Sequence, residues 1–279
     1  MRKYLRKNRK IRTAASLAVT VVMSVAIFLL FLSIELLMGY LSDHLFRDSL
    51  QNSGYAADME KDMLEKQKQL FAAYGLPESL TEKIWGENKA YLAFSQYVDN
   101  GDYREDAVDF GQQEILESYL KEQEVYETEG TRGVLKNVVD ESKAICRRYV
   151  YPSFVKGYRQ FVQERKPVFL GAAAVSAMIV ALGAVFLLGC YHYKHHALYY
   201  ITGSCFTAFV WNLAAILLLS IGGGGAALDV EPAYFSEFLE TFKYKGCSPW
   251  YIVSIVAAAM TFLLLLVSIR MRNKSRTGI

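Results

Sequence analysis

The stretch that decides the fold is Ala14–Ile34, AASLAVTVVMSVAIFLLFLSI, which is 21 residues long and contains no charged side chain. An α-helix rises about 1.5 Å per residue, so this stretch is long enough to cross the roughly 30 Å hydrocarbon core of a bilayer. Three more apolar stretches without charge follow at Val168–Leu188, Leu198–Ile221 and Trp250–Ile269. The pattern predicts an all-α integral membrane protein with four transmembrane helices.

Basic residues near the two ends of the chain set the predicted orientation. Seven lysines and arginines lie within residues 1–13 and four within residues 270–279, and neither segment has an acidic residue. Because cytoplasmic flanks of membrane spans are enriched in lysine and arginine, both termini are predicted to be cytoplasmic. The first apolar stretch is longer than a secretory signal and is predicted to be an uncleaved anchor in the cell membrane.

This orientation divides the chain into nine predicted segments. They are a basic cytoplasmic terminus (1–13), a first span (14–40), a helical extracytoplasmic domain (41–166), a second span (167–190), a cytoplasmic turn (191–197), a third span (198–221), an outer loop with a short amphipathic helix (222–248), a fourth span (249–269) and a basic tail (270–279). The 41–166 segment has 23 acidic and 17 basic residues, so negative charge gathers on the predicted outer side. The net charge of +3 hides this separation, and no nucleic-acid partner is predicted.

The 41–166 segment is predicted to form a helical bundle. Its apolar residues recur three or four positions apart, most clearly at Leu135, Val138, Ile145 and Tyr149. Gly75 followed by Pro77 is typical of a helix end, and no alternating strand pattern competes with the helical one.

Three of the four histidines lie in one short stretch, Cys190–Tyr200, CYHYKHHALYY. His192 with His195 or His196 has the spacing at which side chains share one helical face, so a metal site is one interpretation. The other is a cytoplasmic turn whose tyrosines lie at the headgroup level of the bilayer. The turn is favoured because no fourth ligand is near in sequence, and neither a metal nor a cofactor is predicted.

A short aromatic helix is predicted in the outer loop after Pro232. Its aromatic residues cover one side of the helix: Tyr234, Phe235, Phe238 and Phe242. These rings are predicted to contact the membrane interface, where Lys243 and Lys245 can reach lipid headgroups. A groove for a peptide or other partner and simple packing on the outer domain are the alternatives.

Few polar residues interrupt the predicted spans. Glu35 follows the 21-residue core of the first span and is predicted to lie at the outer headgroup boundary. The alternative is an ion or proton site inside the helix bundle, which needs a partner from another span: Asn212, Ser254 or Thr261. Asn212 is predicted to make a hydrogen bond between helices.

Small residues on the second span, Ala173, Ala177 and Ala181, form a face suited to close helix packing. Packing within the chain is the favoured interpretation, and packing against a neighbouring protein is the alternative.

Two cysteines, Cys146 and Cys247, lie on the predicted outer side, where oxidising conditions allow a disulfide. Helix geometry disfavours the bridge, because Cys146 precedes the membrane boundary at Pro167 by about 31 Å of straight helix. The bridge is therefore the disfavoured alternative to free thiols.

Motifs for enzymatic chemistry are lacking in the sequence: it has no nucleophile elbow, no phosphate-binding glycine loop and no intramembrane protease signature. The expected function is that of a non-enzymatic membrane protein. Its outer domain is expected to bind or sense an extracytoplasmic partner and to couple laterally to a membrane or cell-envelope protein or to a second copy. The alternative is a transporter or channel component, such as an accessory subunit similar to an ABC permease.

Several motifs carry a resemblance to known proteins. The basic start MRKYLRKNRK, GLPES at 75–79, KHHALYYI at 194–201 and EPAYFSEFLE at 231–240 resemble a group of four-span membrane proteins of Gram-positive bacteria. This resemblance covers the full length and implies no activity. The order of one span, a large outer domain and three further spans is also similar to cell-division and MacB-type ABC permeases. However, the 191–197 turn leaves almost no room for their ATPase-coupling helix.

Overall fold

The computed structural model describes residues 2–86, 88–101, 108–124, 129–191, 193–222 and 230–276. These residues are helical and contain no β-strand, which confirms the all-α prediction for the described part of the chain. The helices are α1 (Arg2–Met38), α2 (Asp43–Asn52), α3 (Tyr55–Ala73), α4 (Ser79–Trp85), α5 (Lys89–Asn100), α6 (Gln112–Glu122), α7 (Glu129–Val150), α8 (Ser153–Cys190), α9 (Lys194–Gly222) and α10 (Ala233–Arg276).

The chain forms two compact units. Unit 1 comprises Met1–Leu45, Val162–Ala227 and Lys243–Ile279, and unit 2 comprises Phe46–Phe161 and Leu228–Phe242. Among the described residues, four helical segments are long and apolar enough to cross a membrane: Lys10–Met38, Gly130–Cys190, Lys194–Leu219 and Ala233–Lys274.

The short amphipathic helix and the fourth predicted span are one continuous helix in the structure, whereas the sequence predicted a break between them. This helix, α10, contains Pro249 in its interior. Proline removes one backbone donor, but a helix continues through it where packing compensates for the lost bond. Gly246 supplies such packing, because a Cβ atom there would lie 2.4 Å from the Tyr40 ring.

Unit 2 has two apolar clusters at its centre. The first joins α3, α4, α6 and α7, and its largest fully buried side chains are Trp85, Phe71 and Met63. The second is mainly aromatic and includes Phe46 and Tyr55. Full burial of one large apolar side chain contributes about 1.5–3 kcal/mol, so these clusters are the main source of stability in unit 2.

Unit 1 contains α1, α9 and most of α8 and α10. Its interior clusters are apolar, but its outer faces also carry large apolar side chains, such as Val185 at 68% and Leu218 at 72% exposure. Large exposed apolar faces of this kind are typical of surfaces that contact a membrane or another protein.

The packed face of α8 differs from the predicted alanine face. Ala177 and Ala181 are exposed and Ala173 is half-buried, whereas Ser176 and Leu187 are buried. Helix α1 packs onto the face of α8 that contains Leu187. A Cβ atom at Gly183 would lie 2.6 Å from the Met23 side chain of α1. The glycine permits the close approach that the sequence analysis assigned to the alanines.

Candidate functional site

Helix α5 is held at its N-terminus by a buried carboxylate. Glu60 Oε1 accepts hydrogen bonds from the backbone N–H groups of Ala90 (3.1 Å) and Tyr91 (3.3 Å). These donors lie in the first turn of α5, where backbone N–H groups lack partners within the helix. The negative charge also faces the positive end of the helix dipole, so Glu60 fixes the start of α5 to α3.

Two arginines hold the C-terminus of α5. The Arg47 guanidinium donates to the Asp99 carbonyl oxygen at 3.1 Å and pairs with the Asp99 carboxylate at 3.1 Å. The Arg159 guanidinium donates to the carbonyl oxygens of Tyr97 and Val98. Positive charge at the helix C-terminus complements the dipole, so α5 carries opposite charges from other elements at its two ends.

Gly101 ends α5 in a conformation that favours glycine. Its φ angle is 77°, and its N–H donates to the Tyr97 carbonyl oxygen at 2.8 Å. A Cβ atom here would also overlap the Arg159 guanidinium. The close approach of that arginine to the helix end therefore depends on the missing side chain.

A cavity of about 260 Å³ lies beside α5 in unit 2. Its lining includes the apolar residues Leu50, Phe94 and Val98 and the partly exposed ion pair of Arg47 with Asp99. This volume is below the roughly 300–1,000 Å³ typical of small-molecule pockets. The cavity therefore suits one large side chain better than a whole small ligand.

The aromatic residues of α10 that were predicted to contact the membrane interface pack inside unit 2. Phe238 is buried and meets Phe46 edge-on, with 5.6 Å between the ring centroids. Tyr234, Phe235 and Phe242 are half-buried in the same cluster. The structure thus shows the packing alternative, because ring-to-ring contacts within the unit bury the face that was assigned to lipid.

A shared acceptor orders the edge of this aromatic cluster. The hydroxyl groups of Tyr149 (3.0 Å) and Tyr234 (3.2 Å) both donate to Asp62 Oδ2, which ties α7 and the start of α10 to α3. Burial, and then the nearby Tyr149, raise the pKa of the Tyr55 phenol. That phenol therefore stays neutral within the cluster.

A neutral polar centre lies in the other cluster of unit 2. Gln67 Nε2 donates to the Ser142 carbonyl oxygen (2.9 Å) and to Cys146 Sγ (3.3 Å), and Trp85 Nε1 donates to the same sulfur at 3.1 Å. Considering only the described residues of unit 2, three buried oxygen atoms lack a hydrogen-bond partner: Gln67 Oε1, Ser142 Oγ and Thr81 Oγ1. The centre links α3, α4 and α7.

The four cysteines are free in the structure. Cys146 is engaged by its two donors in unit 2, and Cys247 Sγ lies 3.3 Å from the Tyr40 hydroxyl in unit 1. The disulfide between Cys146 and Cys247 stays the disfavoured alternative, which matched reducing and non-reducing peptide maps would test.

A second polar centre lies in unit 1 and joins three helices. Asn212 Nδ2 on α9 donates to Glu35 Oε1 on α1 at 2.7 Å and to Ser254 Oγ on α10 at 3.0 Å. Glu35 and Asn212 are 0% exposed, and Glu35 Oε2 and Asn212 Oδ1 have no hydrogen-bond partner among the described residues. Thr261 does not take part, because its hydroxyl donates to the Ala257 carbonyl oxygen. The structure therefore buries the Glu35 carboxyl group where the sequence predicted a solvated one, and the position of Glu35 at the headgroup boundary stays a prediction.

The histidine cluster shows no ligand set among the described residues. His195 and His196 have ring centroids 4.2 Å apart, but the described part of the chain contains no group of three His, Cys, Asp or Glu side chains that could hold a metal. His192 lies outside the described residues, so the metal interpretation, which the sequence disfavoured, stays untested at this residue.

Comparison with known proteins gives no relative: the chain matches no family model, no curated protein and no solved structure. The resemblances drawn from the sequence motifs stay predictions. The two sites that carry functional argument are the cavity beside α5 and the Glu35–Asn212–Ser254 centre.

Proposed function

We propose that this protein is an integral membrane protein with four spans, with both termini in the cytoplasm and unit 2 outside. The four apolar helical segments and the exposed apolar side chains of unit 1 support insertion. The basic flanks at 1–13 and 270–279 support the orientation. Reporter fusions near Gly130 and at Ile279 are expected to lie in opposite compartments. A result that places both on one side overturns the topology.

Unit 2 acts, on this proposal, as a non-enzymatic binding or sensing domain for an extracytoplasmic protein. The cavity beside α5 is the observation that carries this function. Its wall is fixed by Glu60 and Arg47 at the two ends of α5, and a preformed wall lowers the entropic cost of binding. The occupant is an apolar side chain of the partner, placed next to the charged rim.

Lateral coupling to a membrane partner, or to a second copy, completes the proposal. The exposed side chains of Ala177 and Ala181 on α8 support it, because small side chains allow another helix to approach closely. Replacing Ala177 with Leu is expected to remove the membrane partner while the monomer stays folded. An unchanged set of partners argues against lateral coupling.

A photo-crosslinking experiment tests the cavity directly. A photoreactive residue at Ser95, which lines the cavity, is compared with one at Leu92, which is 55% exposed on the same helix but does not line it. The expected result is a crosslink to one protein from position 95 only, which is lost when Ala57→Trp fills the cavity. Equal crosslinking from both positions, or crosslinking that survives Ala57→Trp, contradicts the proposal.

A transporter or channel component is the second candidate function. The Glu35–Asn212–Ser254 centre favours it, because buried ionisable residues in membrane helices commonly mark ion or proton pathways. A flux of protons or monovalent cations across reconstituted liposomes, abolished by Glu35→Gln, would support this candidate. Liposomes whose flux is unaffected by this substitution would argue against it.

A further inference from the structure

The carboxyl group of Glu35 is under-supplied with hydrogen-bond donors. An ionised carboxylate has two oxygens that together can accept about four hydrogen bonds. In the described part of the chain, Oε1 receives one bond from a neutral amide and Oε2 has no hydrogen-bond partner. Within the described residues, Glu35 also makes no ion pair. A buried charge with so little compensation is costly, and a bound proton or cation removes that cost.

The apolar stretches of the helices in unit 1 carry no charged residue other than Glu35. Its neighbours in unit 1 form an apolar cluster that includes Phe31 on α1, Ala208 on α9 and Val253 on α10. The sequence has no charged residue or histidine between Arg12 and Met38 other than Glu35, between Lys166 and Cys190, between His196 and Gly222, or between Lys245 and Arg270. The titratable side chains of the facing helices within these stretches are thiols and phenols: Tyr199, Tyr200, Cys205, Cys247 and Tyr251.

A proton fits this site better than a metal cation. Hard cations such as calcium or magnesium take about six or more oxygen ligands. The centre offers four side-chain oxygens at most, two from Glu35 and one each from Asn212 and Ser254, and helical backbone carbonyls are already bonded within their helices. A proton needs one free oxygen atom, and Glu35 Oε2 is such an atom.

The centre connects α1, α9 and α10, so a change of charge at Glu35 is expected to alter the packing of these helices. Asn212 connects Glu35 on α1 to Ser254 on α10, and a second contact joins α1 to α9 where the Ser204 hydroxyl donates to the Thr20 carbonyl oxygen at 3.0 Å. A neutral carboxyl group is compatible with this buried position. A carboxylate draws water or separates the helices, because it lacks the donors that would stabilise its charge.

We propose that Glu35 is a reversible proton-binding site: Oε2 takes up the proton, Asn212 holds the carboxyl group in place, and release of the proton loosens the packing of α1 against α9 and α10. The proton is exchanged with solvent, so no other reactant is needed. This proposal rests on membrane insertion of unit 1, but it is independent of partner binding by unit 2.

Infrared difference spectroscopy on the full-length protein in lipid nanodiscs tests proton binding. The expected result is a carbonyl band of a protonated carboxyl group that is lost as the pH is raised and is missing in Glu35→Gln. The matched control is Glu240→Gln, which changes an exposed glutamate of α10 and leaves that band unchanged. Asn212→Leu is expected to keep the band and to change the pH at which it disappears.

Alkylation of Cys205 tests the coupling to packing. This thiol is 4% exposed and lies in the same apolar cluster as Phe31. The ratio of its alkylation rate in the wild type to that in Glu35→Gln cancels the titration of the thiol itself. The ratio is expected to be close to one at low pH and to rise several-fold at high pH, while the same ratio for Cys146 in unit 2 stays constant.

Defined outcomes overturn the proposal. The lack of a pH-dependent band that requires Glu35 shows that the group does not titrate in the folded protein. Loss of the band on adding sodium ions at constant pH assigns the site to a cation instead. A Cys205 ratio that is constant with pH removes the coupling to packing.

If Glu35→Gln does not fold, the same measurements on Asn212→Leu decide, because an unchanged midpoint pH of the carbonyl band contradicts the role of Asn212. Failure of the fusion experiment would instead show an error in the topology.

Discussion

Two glutamates, one in each unit, are buried in different ways. Glu60 in unit 2 is 7% exposed and accepts two backbone N–H bonds at the positive end of α5. Glu35 in unit 1 is 0% exposed and accepts one bond from a neutral amide. The charge of the Glu60 carboxylate is compensated by these backbone donors, and the contact holds α5 in position. The Glu35 carboxylate is not compensated, so its burial is better explained by a role in which its charge changes than by stability.

The surfaces of the two units also differ, because unit 1 exposes apolar faces and unit 2 exposes charged side chains. Exposed large apolar residues recur along α8, α9 and α10 in unit 1, whereas in unit 2 they are scattered. Charged pairs such as Lys143 with Asp109 (2.8 Å) lie on the surface of unit 2. The hydrogen bond from Lys143 lowers the pKa of Asp109. Single exposed apolar residues are ordinary on a soluble domain, but continuous apolar faces are not.

The largest predicted effect comes from placing the same charge on both surfaces. Met178 in unit 1 and Leu92 in unit 2 are similarly exposed, at 58% and 55%. Met178→Asp is expected to cost about 2.5–3.5 kcal/mol of membrane insertion, because it places a charge near the centre of a span. Leu92→Asp is expected to change stability by less than about 0.5 kcal/mol. The inserted fraction of each variant measures the difference, and equal effects would show that the two surfaces have the same solvent.

The next effect concerns the compensated glutamate. Glu60→Ala removes the acceptor for two N–H groups of α5, so it is expected to destabilise that helix by about 1–2 kcal/mol. Glu60→Gln keeps an acceptor but loses the charge, so a smaller loss is expected. Hydrogen exchange of the α5 amides in the full-length protein measures both. Unchanged protection in Glu60→Ala would show that α5 does not depend on this contact.

The capping of α5 could not be predicted from its own sequence. Lys89–Asn100 has no favourable side-chain cap at its start, and the groups that hold its ends come from Glu60, Arg47 and Arg159. Contacts between residues 30 or more positions apart depend on tertiary packing, which a local pattern does not contain. The apolar stretches did predict the four long helices, because their length and lack of charge are local properties.

Glu35 shows the same limit inside a predicted span. The sequence correctly restricted its partners to Asn212, Ser254 or Thr261, because few polar residues occur in the spans. Distance along the chain then favoured the headgroup boundary, yet the structure buries the side chain. The burial of Glu35 depends on the direction in which its side chain points around the helix, and not on its position along the helix. A single polar residue at the end of an apolar stretch forms no repeating pattern, so the sequence does not show this direction.

A smaller effect is expected at the exposed end of α5. Arg47 and Asp99 are 40% and 55% exposed, so their ion pair is expected to contribute less than about 1 kcal/mol. Asp99→Asn removes the ion pair but keeps the backbone acceptor of Arg47, and Arg47→Ala removes both. Exchange of the last α5 amides is therefore expected to rise more in Arg47→Ala, and only the smaller effect of Asp99→Asn is expected to vanish at high salt. Equal, salt-sensitive effects would assign the contact to the charge alone.

The smallest expected effect is at Glu35, and it is the strictest test of the comparison. Gln has nearly the shape of Glu, and its Oε1 can still accept the hydrogen bond from Asn212. Because the carboxylate of Glu35 has little compensation to lose, Glu35→Gln is expected to leave stability unchanged or to raise it slightly, as commonly follows when a buried charge is replaced by a neutral group of similar shape. Glu60→Gln, measured by the same hydrogen exchange experiment, is expected to lose stability. If Glu35→Gln instead exposed the α9 amides around Asn212 as strongly as Glu60→Ala exposes those of α5, then Glu35 would be structural in the same way as Glu60, and its burial would no longer point to a change of charge.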